Sequence, residues 1–118
     1  MNALVRAMKA LSDEARLRIL SLLLERECCV CEVMQALDIS QSTASRSLGV
    51  LYDAGFLKVR REGQRSYYSI IDGPHDFYLE LVDVVRKALE GNQVVEADRE
   101  RLKQTQPVIK VGANEKVQ

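Results

Sequence analysis

The sequence predicts one mainly helical domain of the α+β class, with elements in the order ααααββα. The chain has 118 residues, of which 47% are apolar and 29% charged, and this size and balance are typical of a single globular domain. Apolar residues recur at helical spacing over most of residues 2–54. The spacing changes to a period of two in two short runs between residues 57 and 70, which flank a glycine turn and indicate a β-hairpin.

The first two helices follow from their apolar stripes. Within residues 2–11, Leu4 and Met8 recur at helical spacing. We predict that Ser12 caps a second helix over about residues 13–25, whose first turn carries acids where the helix dipole favours negative charge. Leucines continue the second stripe at positions 17, 20 and 24.

All three cysteines of the chain follow this helix, at Cys28, Cys29 and Cys31. An odd number of crowded thiols is a poor disulfide framework, and in a reducing compartment it is more typical of a metal or redox site. Soft thiolates select thiophilic ions such as As(III), Sb(III) or Cu(I). The three sulfurs converge only if the third helix is unwound at its start. We expect easy unwinding because no Ser, Thr, Asp or Asn caps this helix, and we expect its N-terminus to lower the thiol pKa values.

Other interpretations of the thiols remain open. They could be buried and inert, since free cysteine often packs as a small hydrophobe. They could form a redox or persulfide sensor. Residues 28–31 also match C-x-x-C, which is typical of thiol oxidoreductases, but the βαβ context of those enzymes is missing. Because no nucleophile is paired with a base and no glycine-rich phosphate loop is present, we predict no catalytic residues.

A helix-turn-helix is predicted where a short third helix ends near Leu37. The turn Asp38-Ile39 follows, Ser40 is the expected cap of a fourth helix, and Gly55 is its expected terminator. The second helix of such a motif lies in a DNA major groove with its N-terminal residues at the base edges. Small polar and basic side chains that suit base or phosphate contacts occupy that end, at Gln41, Ser42, Thr43, Ser45 and Arg46.

The hairpin after this helix is predicted to be a basic wing. The formal net charge of the whole chain is zero, yet five basic and only two acidic residues lie between positions 46 and 65. A basic hairpin beside a recognition helix is typical of a winged helix-turn-helix, whose wing reaches the DNA backbone or minor groove. The candidate wing contacts are Arg60, Arg61, Gln64 and Arg65.

These motifs resemble the ArsR/SmtB metal-responsive repressors of bacteria over about residues 3–91. ALSDEARLRILSLL resembles the second helix of that family, and DISQSTASRSLGVLYDAGFLKVRREGQRSYYSI resembles its recognition helix and wing. ECCVCEV is similar to the ELCVCDL segment of the arsenic-sensing branch. That branch usually has a further cysteine three residues after CVC; here the position is Met34, and the additional thiol is Cys28, where the family pattern has leucine.

The resemblance implies a transcriptional repressor rather than an enzyme. The residues themselves leave open a winged-helix DNA- or protein-binding module without an inducer. In the arsenic-sensing branch, thiolates at the start of the third helix bind As(III) or Sb(III), and the repressor then leaves its double-stranded operator DNA. It implies the metal-ligand set Cys28, Cys29 and Cys31, with As(III) or Sb(III) as inducer. The family pairs as a homodimer through its first and last helices. That implies an interface of apolar residues at Leu4, Met8, Phe77, Leu81, Val85 and Leu89.

We therefore expect residues 1–92 to form a winged helix-turn-helix domain for DNA binding and dimerisation. Residues 93–118 are expected to form a polar tail, partly helical or disordered. No apolar run approaches the length of a membrane span, and the N-terminus lacks the features of a secretion signal, so we expect a cytoplasmic protein without a membrane partner. His75, the one histidine, is a weaker zinc candidate near the start of the last strong helix, which is predicted over about residues 75–90.

Overall fold

The computed structural model of the chain describes residues 1–74 and 76–105 and confirms the predicted class, helices around a small antiparallel sheet. His75 and the tail from residue 106 lie outside the described residues. The elements are α1 (Asn2–Leu11), α2 (Glu14–Glu25), β1 (Cys28–Cys29), α3 (Val30–Leu37), α4 (Gln41–Ala54), β2 (Leu57–Glu62), β3 (Arg65–Ile70), α5 (Phe77–Ala88) and α6 (Gln93–Lys103). No described helix has the length and apolar character that crossing a membrane requires.

The sheet contains a strand that the helical spacing did not predict. Strand β1 is antiparallel to β3, with Cys28 opposite Tyr68 and Cys29 opposite Tyr67. Strand β3 therefore lies in the middle, between β1 and β2. Because a two-residue strand is too short to show a period, its backbone partners on β3 decide its conformation, and the segment begins as a strand rather than as a helix.

The helix caps agree with the sequence pattern at one helix and differ at another. Ser40 caps α4 as predicted, and its hydroxyl accepts a hydrogen bond from the Thr43 N–H at 3.2 Å. At α2 the predicted cap is wrong: Asp13 accepts from the Arg16 N–H at 3.0 Å. Ser12 instead ends α1, and its hydroxyl donates to the Lys9 carbonyl at 2.8 Å.

The core is built around α2, which contacts α1, α3, α4, α5, α6 and β3. The largest fully buried side chains of this core are those of Phe56, Ile19, Leu20, Leu22, Leu48 and Leu51. Gly55 ends α4 at a φ of 107°, and a Cβ at this position would lie 2.9 Å from the Tyr78 ring. This glycine lets α5 pack closely against the end of α4, where Phe56 and Tyr78 form an edge-to-face pair with centroids 5.4 Å apart.

Helix α6 lies in the segment that the sequence analysis assigned to a polar tail, and it packs against α2 and α3. Its Asp98 is only 1% exposed. The carboxylate accepts two hydrogen bonds of 2.8 Å from Arg18 of α2 and one of 2.7 Å from Arg101. Arg101 also donates to the Ala36 carbonyl of α3 at 2.6 Å. An ion pair therefore joins α6 to α2, and a hydrogen bond joins it to α3. The Asp98 carboxylate raises the pKa of Arg18.

Candidate functional site

Helix α4 presents its N-terminal polar residues outward. Helix α3 ends at Asp38, which adopts the left-handed conformation with φ 56°, and the chain turns directly into α4. Of the predicted contacts on this helix, four are exposed: Gln41, Ser42, Ser45 and Arg46. Arg46 makes no ion pair within the described part of the chain, so its guanidinium is available to an external anion.

Thr43 differs from the other predicted contacts because it belongs to the cap of α4. It is only partly exposed. Its hydroxyl lies 3.0 Å from the Ser40 hydroxyl, which also contacts the Ser42 hydroxyl at 3.2 Å. This hydroxyl cluster fixes the first turn of α4. Thr43 therefore orients the start of the helix, and it also lies beside the exposed candidate contacts.

The wing cations fall into two groups. Arg60 donates to Glu27 at 2.8 and 3.1 Å and to Glu62 at 2.7 Å, and its guanidinium lies 4.6 Å from the centre of the Tyr67 ring. These carboxylates raise the pKa of Arg60, and Arg60 in turn lowers that of Glu27. Arg61 is exposed and forms no ion pair with a described residue.

The remaining wing candidates lie near the hairpin turn. Gln64 is exposed, and Arg65 is partly exposed. A hydrogen bond to Tyr67 raises the pKa of Arg65. Thus Arg61 and Gln64 are open to a ligand, whereas Arg60 holds the wing against the residue that precedes β1.

Cys28 lies in the hydrophobic core and is fully buried. Its sulfur is 3.5 Å from the carbonyl oxygen of Arg26. Burial raises the pKa of the Cys28 thiol to about 12. The prediction that a helix N-terminus lowers the thiol pKa is therefore wrong for this residue, because loss of hydration outweighs the attraction of the Arg26 charge.

Cys29 is also buried, and it caps α3. Its N–H donates to the Glu32 carboxylate at 3.0 Å, while its sulfur accepts from the Glu32 N–H, which completes a capping box. Glu32 is itself paired with Arg26 at 3.0 Å. Burial raises the pKa of Cys29 to about 11. The expectation of an uncapped, easily unwound first turn, with a lowered thiol pKa, is wrong because a thiol takes the usual place of serine or threonine.

Cys31 is the one cysteine that is partly exposed. The Gln35 side chain donates to its sulfur at 3.5 Å. Cys29 and Cys31 line a cleft of about 480 Å³ between α3, the start of α4 and the wing. The other residues of this thiol cleft are Val30, Met34, Gln41, Gln64, Arg65, Ser66 and Tyr68.

The three thiols do not meet in this conformation. Cys28 does not line the thiol cleft. Across the described residues, no three His, Cys, Asp or Glu side chains stand close enough together to hold a metal ion. A three-thiolate site therefore requires that Cys28 leave the core and that Cys29 leave its cap.

The predicted interface residues differ in how far they reach solvent. Leu4, Met8 and Phe77 are exposed by 47%, 52% and 38%. Leu81 and Leu89 are partly exposed, whereas Val85 is buried within the protomer. The most exposed large apolar side chain of α5 is Val84, at 60%. Val84 therefore belongs to the exposed apolar surface of α1 and α5, whereas Val85 does not.

Sequence reasoning missed Arg26, Glu27 and Glu32, which connect the cysteine segment to its surroundings. Glu27 binds the wing through Arg60, and Glu32 completes the capping box at the start of α3. Arg26 also donates to the Leu102 carbonyl of α6 at 3.2 Å. A signal was present for Glu32 alone, since an acid three residues after a cap position is the mark of a capping box.

Comparison with known proteins agrees with this architecture. A model of the family described as bacterial regulatory protein, arsR family, matches residues 13–59. A transcriptional repressor SmtB homologue from Synechocystis is 36% identical over 80 residues, which are 67% of this chain and 61% of that protein. The chain thus spans less than two thirds of the length of that relative. The arsenic resistance transcriptional regulator ArsR1 from Pseudomonas putida is 40% identical over 95 residues, 80% of this chain and 67% of that protein.

A solved structure supports the same assignment. The homodimeric winged helix-turn-helix DNA-binding domain from Mycobacterium bovis, described as a possible ArsR-family regulator, has a TM-score of 0.64 and 32% identity to this chain. The match covers 78% of this chain and 82% of that one. The family model covers the helix-turn-helix and the start of β2, and the structural match covers most of the chain. The chain belongs to the arsR family of bacterial regulatory proteins.

Proposed function

We propose that this protein is a homodimeric transcriptional repressor that binds operator DNA and is released when its cysteine thiolates bind As(III) or Sb(III). The observation that carries the proposal is the shared lining of the thiol cleft. Cys29 and Cys31 line it together with Gln41 at the start of α4 and Gln64 at the wing turn. A change at these sulfurs therefore acts next to both candidate DNA-binding elements.

The rearrangement follows from the resting contacts. For three thiolates to converge, Cys28 leaves the core, and Cys29 breaks its capping box with Glu32 and its pairing with Tyr67 of β3. The first turn of α3 unwinds, and the wing loses its neighbouring strand. Since only a short turn separates α3 from α4, both the recognition helix and the wing change position relative to DNA. A coupling of about 1–3 kcal/mol per site is typical of allostery.

The partner surface is apolar. Leu4, Met8 and Val84 expose apolar side chains on α1 and α5. In a dimer these faces are buried, and two copies of α4 contact half-sites about 10 base pairs apart, or a multiple of that spacing.

Fluorescence anisotropy tests this function. Purified, reduced protein is bound to DNA from upstream of its own coding sequence and titrated with arsenite or antimonite. We expect release at about one ion per three thiols, and release should be lost in Cys29→Ser and Cys31→Ser. Cys28→Ser shows whether the additional thiol is a ligand. If all three single variants still release DNA like the wild type, thiolate binding does not control this protein.

A second candidate function is release by thiol oxidation, and the position of Arg65 favours it. Arg65 lines the thiol cleft with Cys29 and Cys31 and places a cation beside both sulfurs. With hydrogen peroxide as oxidant, two thiols lose two electrons and two protons to form one disulfide, and the peroxide is reduced to two waters. DNA release by peroxide, reversed by dithiothreitol and absent with arsenite, would favour this function over the metalloid response.

A further inference from the structure

Gly49 lies in the interior of α4, where glycine weakens the helix. Glycine is among the poorest helix formers because the folded helix restricts its large conformational freedom. Nothing within the described chain requires it at this position. Gly49 lacks a positive φ, and a Cβ added there would meet no heavy atom within 4 Å.

Gly55, at the end of the same helix, is a glycine that the fold itself requires. It has a φ of 107°, and an added Cβ would lie 2.9 Å from Tyr78. At Gly55 the fold explains the glycine through its conformation and its packing. At Gly49 neither reason applies within the described residues, which points to a surface outside them as the cause of the missing side chain.

The position of Gly49 on the helix indicates which surface approaches it. The buried side of α4 consists of Ala44, Ser47, Leu48, Leu51 and Ala54. At 100° per residue, Gly49 points away from that side and lies in line with Ser42, seven positions earlier. Ser45 and Arg46, one turn earlier, lie on the same outward face and are exposed. Gly49 therefore extends the row of candidate base and phosphate contacts.

The charge along this face fits a polyanion. No acidic residue occurs in α4 before Asp53, and Arg46 is free of ion pairs among the described residues. Gly49 lies within this acid-free part, and Asp53 lies one turn beyond it. A close approach of DNA is therefore electrostatically favourable at Gly49 and unfavourable past Asp53.

We propose that Gly49 is a positioning residue of the DNA interface. Its missing side chain lets the outward face of α4 come close to the double helix, so that Ser42, Ser45 and Arg46 reach the base edges. This inference rests on the proposed DNA-binding function. Glycine at a close approach between a backbone and its ligand is a general use of this residue.

The inference predicts opposite effects on folding and binding. Gly49→Ala and Gly49→Leu both place better helix formers at an open position, so Tm should rise by about 4 °C for alanine. The added side chain should hold DNA away, and the affinity for the upstream DNA should fall about tenfold for alanine and further for leucine. Thermal melts and fluorescence anisotropy at one fixed salt concentration measure the two effects.

Matched controls separate the explanations. Val94→Ala raises helix propensity at an exposed position of α6 and should leave DNA affinity unchanged. If the wild type binds the upstream DNA and both Gly49 variants bind it as tightly or more tightly, this inference is overturned but the proposed function is not. No binding by the wild type refutes the proposed function as well. If Gly49→Ala changes the oligomeric state in sedimentation velocity, the glycine lies against the partner subunit, which also overturns the inference.

Discussion

At the scale of single residues, the three cysteines occupy three different environments despite their adjacency. Cys28 packs in the core, Cys29 caps a helix, and Cys31 is partly open to the thiol cleft. Alternation along β1 and the start of α3 turns successive side chains to different sides. The chemistry of each sulfur therefore follows from its local fold rather than from a shared cluster.

The buried thiol of Cys28 should make stability sensitive to alkaline pH. Its pKa is about 12 in the folded protein and near 9 when the chain is unfolded, so the unfolded state releases the proton first. The stabilisation is complete below about pH 9 and is lost as pH rises towards 12. Between pH 8 and 10.5, urea unfolding of Cys28→Ala should show an alkaline loss about 2 kcal/mol smaller than that of the wild type.

Cys31→Ala is the matched control for this experiment, because it removes a neighbouring, partly exposed thiol. Comparing pH dependence rather than absolute stability separates the titration from the cavity that Cys28→Ala leaves. An alkaline loss in Cys28→Ala equal to that of the wild type would contradict the assigned burial.

At the scale of elements, strand β3 connects the cysteine segment to the wing. Its Tyr67 lies opposite Cys29 on one side and opposite Arg60 on the other. Arg60 then reaches across to Glu27, just before β1. The wing is thus held to the cysteine segment by backbone pairing and by an ion pair, in addition to the connection through α3 and α4.

Arg60 and Arg61 should contribute differently to DNA binding. Arg61→Gln should reduce the slope of log affinity against log salt by about one, because Arg61 is free to neutralise a phosphate. Arg60→Gln should leave that slope unchanged, since its guanidinium already donates to Glu27 and Glu62. Both variants lose one positive charge, so anisotropy over a salt series isolates the direct contact. Equal slope changes would show that Arg60 exchanges its carboxylates for phosphate on DNA.

The elements also show how far sequence patterns reach. Regular features were predictable: the stripe of α1, the Ser40 cap and the hairpin all follow from local spacing and turn chemistry. Strand β1 depends on a partner some forty residues away, and the burial of Asp98 depends on Arg18. Contacts between distant residues produce no repeating pattern in the local sequence, so they could not be predicted from it. The sulfur cap at Cys29 was missed because cysteine is not among the usual capping residues.

At the scale of the whole molecule, α1 and α5 each expose large apolar side chains that the rest of the described chain does not cover. Met8 and Val84 are 52% and 60% exposed. Met8→Asp and Val84→Asp should convert a dimer into monomers in sedimentation velocity and weaken binding to a two-half-site DNA, because carboxylates are costly to bury unpaired.

Val94→Asp is the control for the dimer experiment, since Val94 is exposed by 51% but lies on α6. Circular dichroism checks that each variant keeps its helices. A dimer that persists in both Met8→Asp and Val84→Asp would exclude the α1 and α5 faces as the interface.

The two-residue strand β1 also sets the timing of thiol chemistry. Cys28 and Cys29 are buried while this strand is paired with β3. Since Cys28 does not line the thiol cleft, we expect a reagent to react with it only during brief openings of the pairing. At low concentration the reaction rate follows the reagent, and at high concentration it saturates at the opening rate of the strand. We therefore expect short exposures to leave Cys28 unmodified. The thiol-controlled release proposed above would then depend on how long a thiophile persists as well as on its concentration.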